Sequence, residues 1–354
     1  MILRDLLRLL GSAKRDGRNL THDEAYRAFE LILAESRSDI QVGAFLIALR
    51  WKGVTVEELT AFAEAARAHA TIPCRGMQDL VCVCPPQDGL ESHAPLEVAS
   101  GLIAAAAGLR VLIITDRCVP PKRGLTAASA LERLGLDMTW DPAEAEDWVA
   151  KARFAVASSS GILPALMGLR RVRSEIGVRT PIATVEKLIA PRNAAIVIGA
   201  QAGPVLGMAV EVLQALGHPR GIAIQGLEGG VIPAVSRRSR GIELSGGFQT
   251  PLTVEPSDVG MSAPLEPDLP MFGPPDEGYG SGDNPALTKA SGDLTLSVLA
   301  GEHGPARNAA LLGAGLILKA GGKAHTLAEC VSLAVEALDS GAARDVVARL
   351  KSLA

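Results

Sequence analysis

The sequence predicts an α/β protein in which a small all-helical domain precedes a larger domain with a central, mostly parallel sheet flanked by helices. Three observations support this prediction. The first seventy residues carry helical patterns, residues 80 to about 245 alternate short apolar runs with helical stretches, and the chain closes with further helices. Strands that alternate with helices are typical of parallel sheets with right-handed crossovers. With 354 residues, the chain is long enough for two such domains.

The predicted helical domain spans residues 1–72. The helices "LTHDEAYRAFELILA" and "TVEELTAFAEAARAHA" each begin with a capping box, in which a threonine is followed three residues later by a glutamate. The two pairs are Thr21 with Glu24 and Thr55 with Glu58. A helix between them, "SDIQVGAFLIALRWKG", is expected to end at Gly53, because glycine is favoured just beyond a helix C-terminus.

The predicted α/β domain spans residues 73–354. Its candidate strands are "LVCVC", "VLIIT", "FAVASS", "AAIVIGA" and "GIAIQG". A third capping box, Thr326 with Glu329, begins one of the closing helices. Between residues 245 and 286, glycine, proline and acidic residues dominate without periodicity, and we expect irregular structure there.

Composition narrows the function classes. The formal net charge of −4 argues against a globally basic nucleic-acid-binding protein. The five cysteines contain no CxxC pair, which indicates reduced thiols rather than a disulfide or metal framework. The longest apolar stretch is interrupted by Arg110 and is too short to span a bilayer. We therefore expect a cytoplasmic protein without a membrane partner.

Charge is distributed unevenly along the chain. Residues 165–242 contain ten arginines and lysines and four glutamates, a balance of +6, whereas residues 243–293 contain one lysine and nine acidic residues, a balance of −8. Clustered cations can neutralise the phosphates of a nucleic acid. Ordinary surface ion pairs explain any single arginine equally well.

One loop stands where α/β proteins usually bind phosphate. The strand "LVCVC" leads through "PPQDG" into the helical stretch "LEVASGLIAAAAG". Pro85 and Pro86 occupy this loop, and proline lacks the N–H donor and the backbone freedom that a pyrophosphate cradle requires. A different phosphate loop would have to use nearby residues, for which the candidates are Asp88, Gly89, Ser92 and His93.

Four segments resemble the anthranilate phosphoribosyltransferases, which belong to glycosyltransferase family 3. They are "QVGAFLIALRWKG", "VASGLIAAAAGLRV", "VRSEIGVRTP" and "VLAGEHGPARNAALLGAGLILKAGG", and they follow in the family's order over almost the whole chain. The resemblance implies that helices near residues 165–192 join the helical domain. It also implies a homodimer formed through that domain and a substrate cleft between the two domains.

The resemblance breaks down at the family's phosphate and metal motifs. The segment "CPPQDG" stands where the family has its GTGGD loop, and Pro120 and Pro121 replace two phosphate-binding serines. Arg117 and Lys122 match the basic residues around them. The family's magnesium-binding Asp-Glu pair is reduced to Glu228, and one carboxylate is a poor ligand set for Mg²⁺.

The resemblance also implies a site for the acceptor substrate. Arg173 matches the arginine that contacts the aromatic acid in the family, while Lys187 and Arg192 lie where the family has a substrate-lining turn, GPLTNP, that this sequence does not keep. The candidate contacts to phosphate or nucleic acid are Arg117, Lys122, Arg123, Arg170, Arg171, Arg173, Arg179, Lys187 and Arg192.

Three functions remain open from the sequence, and whether the chain is an enzyme is one of the open questions. The first is a homodimer that binds a phosphorylated small molecule or single-stranded nucleic acid without ordinary anthranilate phosphoribosyltransferase activity, because that chemistry needs positioned charge at the phosphates. The alternative is an active phosphoribosyltransferase with an unidentified acceptor, which would need Mg²⁺ bound at Glu228 and Asp116; no other cofactor is expected. The third is a protein-binding role for the acidic segment 243–293.

Overall fold

In the computed structural model, four helices form the N-terminal part of the helical domain. The structure describes residues 2–11, 17–201, 203–270 and 279–354. The helices are α1 Leu3–Gly11, α2 His22–Leu33, α3 Asp39–Lys52 and α4 Val56–Ala68. Both predicted capping boxes of this domain are present at α2 and α4. Gly53 ends α3 with a φ of 83°, as glycine permits.

The larger domain contains a seven-stranded sheet. All five predicted strands are present within two residues of their predicted bounds, and two further strands follow them. The strands are β1 Leu80–Cys84, β2 Arg110–Thr115, β3 Phe154–Ser158, β4 Ala195–Gly199, β5 Arg220–Ile224, β6 Ser239–Ser245 and β7 Phe248–Val254.

The order of the strands reverses beside β1. The sheet runs β3-β2-β1-β4-β5-β6-β7, with parallel pairing from β3 to β5 and antiparallel pairing from β5 to β7. The connection from β1 goes to β2 on one side, and the chain returns to β4 on the other side. The carboxyl ends of strands at such a switch point form the usual ligand crevice of open α/β sheets.

Helices cover the sheet and complete the core. Helix α13 packs against β1, β4 and β5, and α5 packs against β2 and α13. The small apolar residues of both helices allow this close contact. The predicted capping box is present at the start of α14. The helices of this domain are α5 Glu97–Ala106, α6 Ala127–Arg133, α7 Pro142–Ala152, α8 Ser159–Ile162, α9 Ala165–Ile176, α10 Ile182–Val185, α11 Pro204–Ala215, α12 Pro285–Leu299, α13 Pro305–Ala320, α14 Leu327–Asp339 and α15 Ala342–Lys351.

The fold class predicted from the sequence is confirmed: a small helical domain stands beside a larger α/β domain with a mostly parallel sheet. Helices α9 and α10 pack against α3 and α4, and thereby extend the helical domain. No described helix is long and apolar enough to cross a membrane.

The prediction of irregular structure over 245–286 is wrong at its start. Strands β6 and β7 form a hairpin there, and Phe248–Val254 is a regular edge strand. The turn consists of Gly246 and Gly247, both with positive φ, which is the geometry of a tight hairpin. The strand was missed because it contains Pro251, which is unusual inside a strand, and because most of its side chains are exposed. Residues 271–278 of the predicted segment lie outside the described residues.

A buried histidine joins the two domains. Arg67 on α4 donates to the carbonyl of Leu188 and contacts His218 Nε2 through Nη2 at 2.7 Å, while His218 Nδ1 lies 2.9 Å from the carbonyl of Ala194. Because arginine can only donate, the Nε2 atom accepts and the imidazole is neutral. Burial, together with the positive charge of Arg67, lowers the pKa of His218 to about 4.

We expect His218 to make the stability of the protein depend on pH. The pKa of His218 is lower in the folded than in the unfolded protein. The contribution of the neutral imidazole to stability is therefore complete above the unfolded-state pKa of about 6.5, and it is lost as pH falls towards the folded-state pKa of about 4. Between about pH 7 and pH 5 this loss amounts to about 2 kcal/mol. Urea denaturation at both pH values checks it: the free energy of unfolding of His218→Gln should fall less than that of the wild type. Equal losses in the two proteins would contradict this assignment.

Candidate functional site

A deep cleft separates the two domains at the switch point of the sheet. Its volume is ≈ 1940 Å³. The walls come from the end of α3, from the segment 177–187 that follows α9, and from the loops that follow β1, β4 and β5. This is the position at which open α/β sheets bind ligands, so the cleft is the candidate functional site.

The loop after β1 presents a row of backbone N–H groups that a carboxylate occupies. Glu228 Oε2 accepts from the N–H of Glu91 at 2.7 Å, and its Oε1 accepts from the N–H groups of Ser92 and His93 at 2.8 and 3.1 Å. The imidazole of His93 donates to the same Oε1 atom at 2.7 Å through Nδ1. We call the N–H groups of residues 91–93, together with the His93 imidazole, the anion cradle.

Local backbone geometry places Glu228 in this position. Its φ is 52°, an uncommon value for a residue other than glycine. Gly226, Gly229 and Gly230 surround it, and the end of β4 approaches closely: a Cβ atom on Gly199 would lie 2.3 Å from the carbonyl oxygen of Gly229. A glycine-rich turn pressed against β4 therefore directs the Glu228 side chain towards the loop after β1.

His93 connects the cradle to a third segment. Its Nε2 atom lies 2.9 Å from Asp268 Oδ1, and the N–H of Leu269 donates to the carbonyl of Ser92 at 2.9 Å. Burial alone would raise the pKa of Glu228, but the hydrogen bonds from His93 and from the N–H groups of Glu91 and Ser92 outweigh it and lower the pKa to about 2. Glu228 is therefore a carboxylate at physiological pH.

A second carboxylate of the loop holds the linker between the domains. Asp88, which is 1% exposed, accepts from Nε and Nη2 of Arg179, with both distances 2.6 Å. Such a bidentate pair has the geometry that arginine and carboxylate prefer. Burial would lower the pKa of Arg179, but the hydrogen bonds and charge of Asp88 raise it overall. The guanidinium of Arg179 is thus fixed by an internal anion.

The arginines of α9 are paired in the same way. Arg173 is 3% exposed and donates to Glu186, which is equally buried. Burial raises the pKa of Glu186, and the charge of Arg173 opposes that rise. Arg170 Nη2 lies 2.9 Å from Oδ1 of the buried Asp116. Arg173, which the resemblance assigns to an acidic substrate, therefore contacts a carboxylate of its own chain.

The structure divides the residues predicted from the sequence into three groups. The first group lines the cleft and consists of Asp88, Ser92, Lys122, Arg179, Lys187 and Glu228. The second does not line the cleft: Gly89, His93 and Arg123 each adjoin a lining residue in the chain, and Arg170 and Arg173 pair with Asp116 and Glu186. The third lies elsewhere: Arg117 pairs with Glu132 and Asp137 beside a separate hollow of ≈ 400 Å³, Arg171 pairs with Glu175 on the surface, and Arg192 donates to the carbonyl of Leu216.

Sequence reasoning missed several acidic partners. Glu91 lies 2.9 Å from Lys122 Nζ, Glu186 pairs with Arg173, and Asp268 contacts His93. In the sequence these residues look like ordinary polar positions, and Asp268 lies in the segment predicted to be irregular. For one pair the sequence did contain a hint: Glu186 follows Arg173 by thirteen positions, and both lie in the linker helices or just after them.

The residues of the cleft do not fit a magnesium site. Both oxygens of Glu228 accept from N–H groups, and Asp116 accepts from the N–H groups of Arg117 and Ser160 as well as facing Arg170. Within residues 2–11, 17–201, 203–270 and 279–354, no group of three or more His, Cys, Asp or Glu side chains has the arrangement of a metal site. Mg²⁺ prefers several oxygen ligands, and here those oxygens are occupied.

A helical bundle beside an α/β domain, with a cleft between them, is the architecture of a glycosyl transferase family with two domains. The model of the helical bundle domain of a glycosyl transferase family matches residues 10–70, and the model of the family's α/β domain matches residues 95–344. The chain therefore belongs to this glycosyl transferase family, and it is like the anthranilate phosphoribosyltransferases within it. The resemblance found in the sequence is confirmed.

The alignments with similar proteins cover nearly the whole chain. The anthranilate phosphoribosyltransferase of Afipia carboxidovorans is 30% identical over 339 residues, which are 95% of each chain, and that of Methanobrevibacter smithii is 29% identical over 93% of each. The crystal structure of the Thermus thermophilus enzyme superimposes with a TM-score of 0.80 at 26% identity, covering 100% of this chain and 99% of that one. The Saccharomyces cerevisiae enzyme in complex with PRPP and Mg has a TM-score of 0.80 at 14% identity, covering 99% of this chain and 97% of that one, and shows the shared fold alone.

We expect Arg173 and Glu186 to stabilise the protein only as a pair. Replacing one partner leaves an uncompensated charge in a buried site, so Arg173→Met or Glu186→Leu should each lower the free energy of unfolding by about 3–5 kcal/mol. The double variant should recover most of this loss, because two apolar side chains replace the pair. Denaturant unfolding of the four proteins measures the coupling. Additive losses in the double variant would show that the two charges do not depend on each other.

Proposed function

We propose that this chain binds a small phosphorylated ligand in the cleft, as a homodimer, and does not perform the Mg²⁺-dependent phosphoribosyl transfer of ordinary anthranilate phosphoribosyltransferases. The observation that carries the proposal is the occupied anion cradle. Three consecutive N–H groups and one imidazole converge on a single anionic group, which here is the carboxylate of Glu228. Converging backbone N–H groups of this kind are the usual protein partners of phosphate.

Further donors beside the cradle suit a phosphoryl group. Lys122 Nζ lies 3.7 Å from Glu228 Oε2, and Ser92 lines the cleft. A ligand phosphate that displaced the Glu228 side chain would meet the same N–H groups and the Lys122 ammonium. Only the side chain of Glu228 would have to move, because the glycine turn that carries it is packed against β4.

The acidic residues give little support to metal-dependent transfer. Glu228 and Asp116 are the only Mg²⁺ ligands that the sequence suggested, and both are held by internal donors. Phosphoryl and pyrophosphate chemistry needs charge neutralisation that this cleft lacks without a metal. An active phosphoribosyltransferase is therefore the less supported alternative.

The geometry also favours a small ligand over nucleic acid. Arg170, Arg171, Arg173 and Arg179, the core of the basic segment, each pair with a carboxylate of the same chain. Paired arginines release few counterions when a polyanion approaches, so the electrostatic gain that drives nucleic-acid binding is small.

An apolar face of the helical domain supports the homodimer. Ile40, Ile47 and Trp51 follow one another along one side of α3, and Ile40 and Trp51 are 86% and 93% exposed. Helix α3 packs against α1 and α9, and Ile2, which precedes α1, and Met167 of α9 are exposed apolar residues as well. Contiguous exposed apolar side chains usually mark an interaction surface, and a second copy offers the same apolar face in return.

We expect removal of the Glu228 charge to strengthen phosphate binding. In Glu228→Gln the internal competitor is neutral, so ribose 5-phosphate should bind at least about tenfold more tightly, which corresponds to about 1.4 kcal/mol. Isothermal titration calorimetry without and with Mg²⁺ measures this. If Glu228 were instead a metal ligand, the variant would bind ribose 5-phosphate more weakly than the wild type when Mg²⁺ is present, and the two proteins would bind it equally when Mg²⁺ is absent.

Glu266→Gln provides the matched control. Glu266 also accepts from two backbone N–H groups, those of Val235 and Ser236, but it does not line the cleft. Its replacement should leave ribose 5-phosphate binding unchanged. Failure of every variant to bind ribose 5-phosphate, together with salt-dependent binding of a labelled single-stranded oligonucleotide, would replace this proposal with the nucleic-acid hypothesis.

We expect Trp51→Glu to convert the dimer into a monomer. A charge on the apolar face cannot be buried without a partner, so association should be lost. Light scattering after size-exclusion chromatography measures the mass. Trp140→Glu, at a half-exposed tryptophan of the α/β domain, should remain dimeric. A monomeric wild-type protein would refute the homodimer.

A further inference from the structure

Lys187 lines the cleft, and its amine is held by a neutral group. The residue lies in the 3₁₀ turn Glu186–Leu188, and its Nζ atom donates to the carbonyl of Gly199, the last residue of β4, at 2.7 Å. Among the residues that the structure describes, no carboxylate oxygen lies within 4.0 Å of this atom. A carbonyl accepts from a neutral amine as well as from an ammonium group, so this contact does not require a charged lysine.

The buried carboxylates of this region already have arginine partners. The pairs are Asp88 with Arg179, Asp116 with Arg170 and Glu186 with Arg173. Three acidic groups are thus matched by three arginines, and Lys187 is a fourth cation without an anion of its own. A desolvated charge without a partner is unfavourable. A lysine can avoid this cost by releasing its proton, whereas an arginine cannot.

The pKa of Lys187 agrees with this count of charges. Burial and the positive charge of Arg179 lower the pKa to about 8, although Asp88, Cys84 and Glu186 act in the opposite direction. At neutral pH about a tenth of the Lys187 side chain is therefore a neutral amine, against about a thousandth or less for a lysine of ordinary pKa. Desolvation and a neighbouring cation are a recognised means of making a lysine nucleophilic.

Backbone contacts connect this amine with the anion cradle. The Gly199 carbonyl accepts from Lys187, and a Cβ atom on Gly199 would lie 2.3 Å from the carbonyl oxygen of Gly229, the residue after Glu228. Glu228 in turn occupies the cradle. Two successive contacts therefore separate the amine from the turn that carries Glu228, and one small ligand can reach both the amine and the cradle.

We propose that Lys187 is a catalytic nucleophile that forms an imine with the aldehyde carbon of a short aldose phosphate whose phosphate occupies the anion cradle. This inference rests on the proposed function, because the cradle must bind the phosphate. Gln201 and Gln225 line the same cleft, and their amides can bind the hydroxyl groups of such a ligand.

The reaction needs only the amine and the aldehyde. The nitrogen electron pair of neutral Lys187 attacks the aldehyde carbon, the π electrons of the C=O bond move to oxygen, and one proton passes from nitrogen to that oxygen to give a carbinolamine. The hydroxyl group then leaves with the second nitrogen proton as water, and the C=N bond forms. Amine and aldehyde thus give imine and water without a change of oxidation state, and water reverses the reaction.

Reductive trapping with glyceraldehyde 3-phosphate tests this inference. Sodium cyanoborohydride donates a hydride that converts the imine into a stable secondary amine, so the wild-type protein should gain the mass of one reduced ligand, which peptide mapping should locate at Lys187. Labelling should increase about tenfold from about pH 7 to about pH 9, because the neutral amine reacts. Lys187→Met and Lys187→Arg should both lose the label, since arginine keeps the cation but forms no imine under these conditions.

Two further ligands separate the amine from the cradle. Glyceraldehyde has the carbonyl without the phosphate, and it should label Lys187 at least about tenfold more slowly. Glycerol 3-phosphate has the phosphate without the carbonyl, and by calorimetry it should bind equally to the wild type, to Lys187→Arg and to Lys151→Met. The last of these replaces a surface lysine of α7 that pairs with Asp147, and it should also keep the label at Lys187.

The possible failures are distinguishable. A wild-type protein that binds glycerol 3-phosphate but gains no label at Lys187, or a label of the same size that persists in Lys187→Arg, overturns the role of Lys187 alone. Equally fast labelling by glyceraldehyde overturns the role of the cradle in placing the ligand. Failure of the wild type to bind glycerol 3-phosphate overturns the proposed function together with the inference that rests on it.

Discussion

The loops at the carboxyl edge of the sheet depend on carboxylates that reach from one loop to the backbone of another. Glu228 satisfies the N–H groups of residues 91–93, Asp116 accepts from the N–H of Ser160, and Glu266 accepts from the N–H groups of Val235 and Ser236. Strand pairing in these loops is limited to isolated bridges, so side-chain carboxylates supply acceptors for backbone N–H groups that no strand satisfies. Each carboxylate therefore fixes two loops at once, and the shape of the cleft follows from these contacts.

The same contacts decide which ligands the cleft can accept. When each donor group already faces an internal anion, a ligand gains only the difference between its own contacts and those it replaces. A polyanion that stays outside the cleft meets arginines whose charge is already neutralised by Asp88, Asp116 and Glu186. A compact anion that enters can take the place of one movable side chain. Replacement of an internal anion therefore favours a small anion that enters the cleft over a polyanion that stays outside it.

The sequence predicted the local structure well and the partners of its charged residues poorly. Three capping boxes and five strands were found because their signals lie within a few neighbouring residues. The hairpin of β6 and β7 was missed, although Gly246 and Gly247 between two short runs are a recognised turn signal. The contact between Glu228 and His93 joins positions 135 residues apart, and no local pattern encodes it.

Arg173 illustrates why a family motif does not by itself assign a role. The resemblance matches this residue to a substrate-binding arginine of the family, yet the role of an arginine depends on what its guanidinium faces. Here Glu186 faces it, thirteen positions later in the chain, and both groups are buried. The next residue, Lys187, has its ammonium group on the cleft side with one carbonyl as partner. Glu186 thus supplies the Arg173 guanidinium with an internal carboxylate, so what this arginine does follows from its partner in the fold and not from the motif that preserves it.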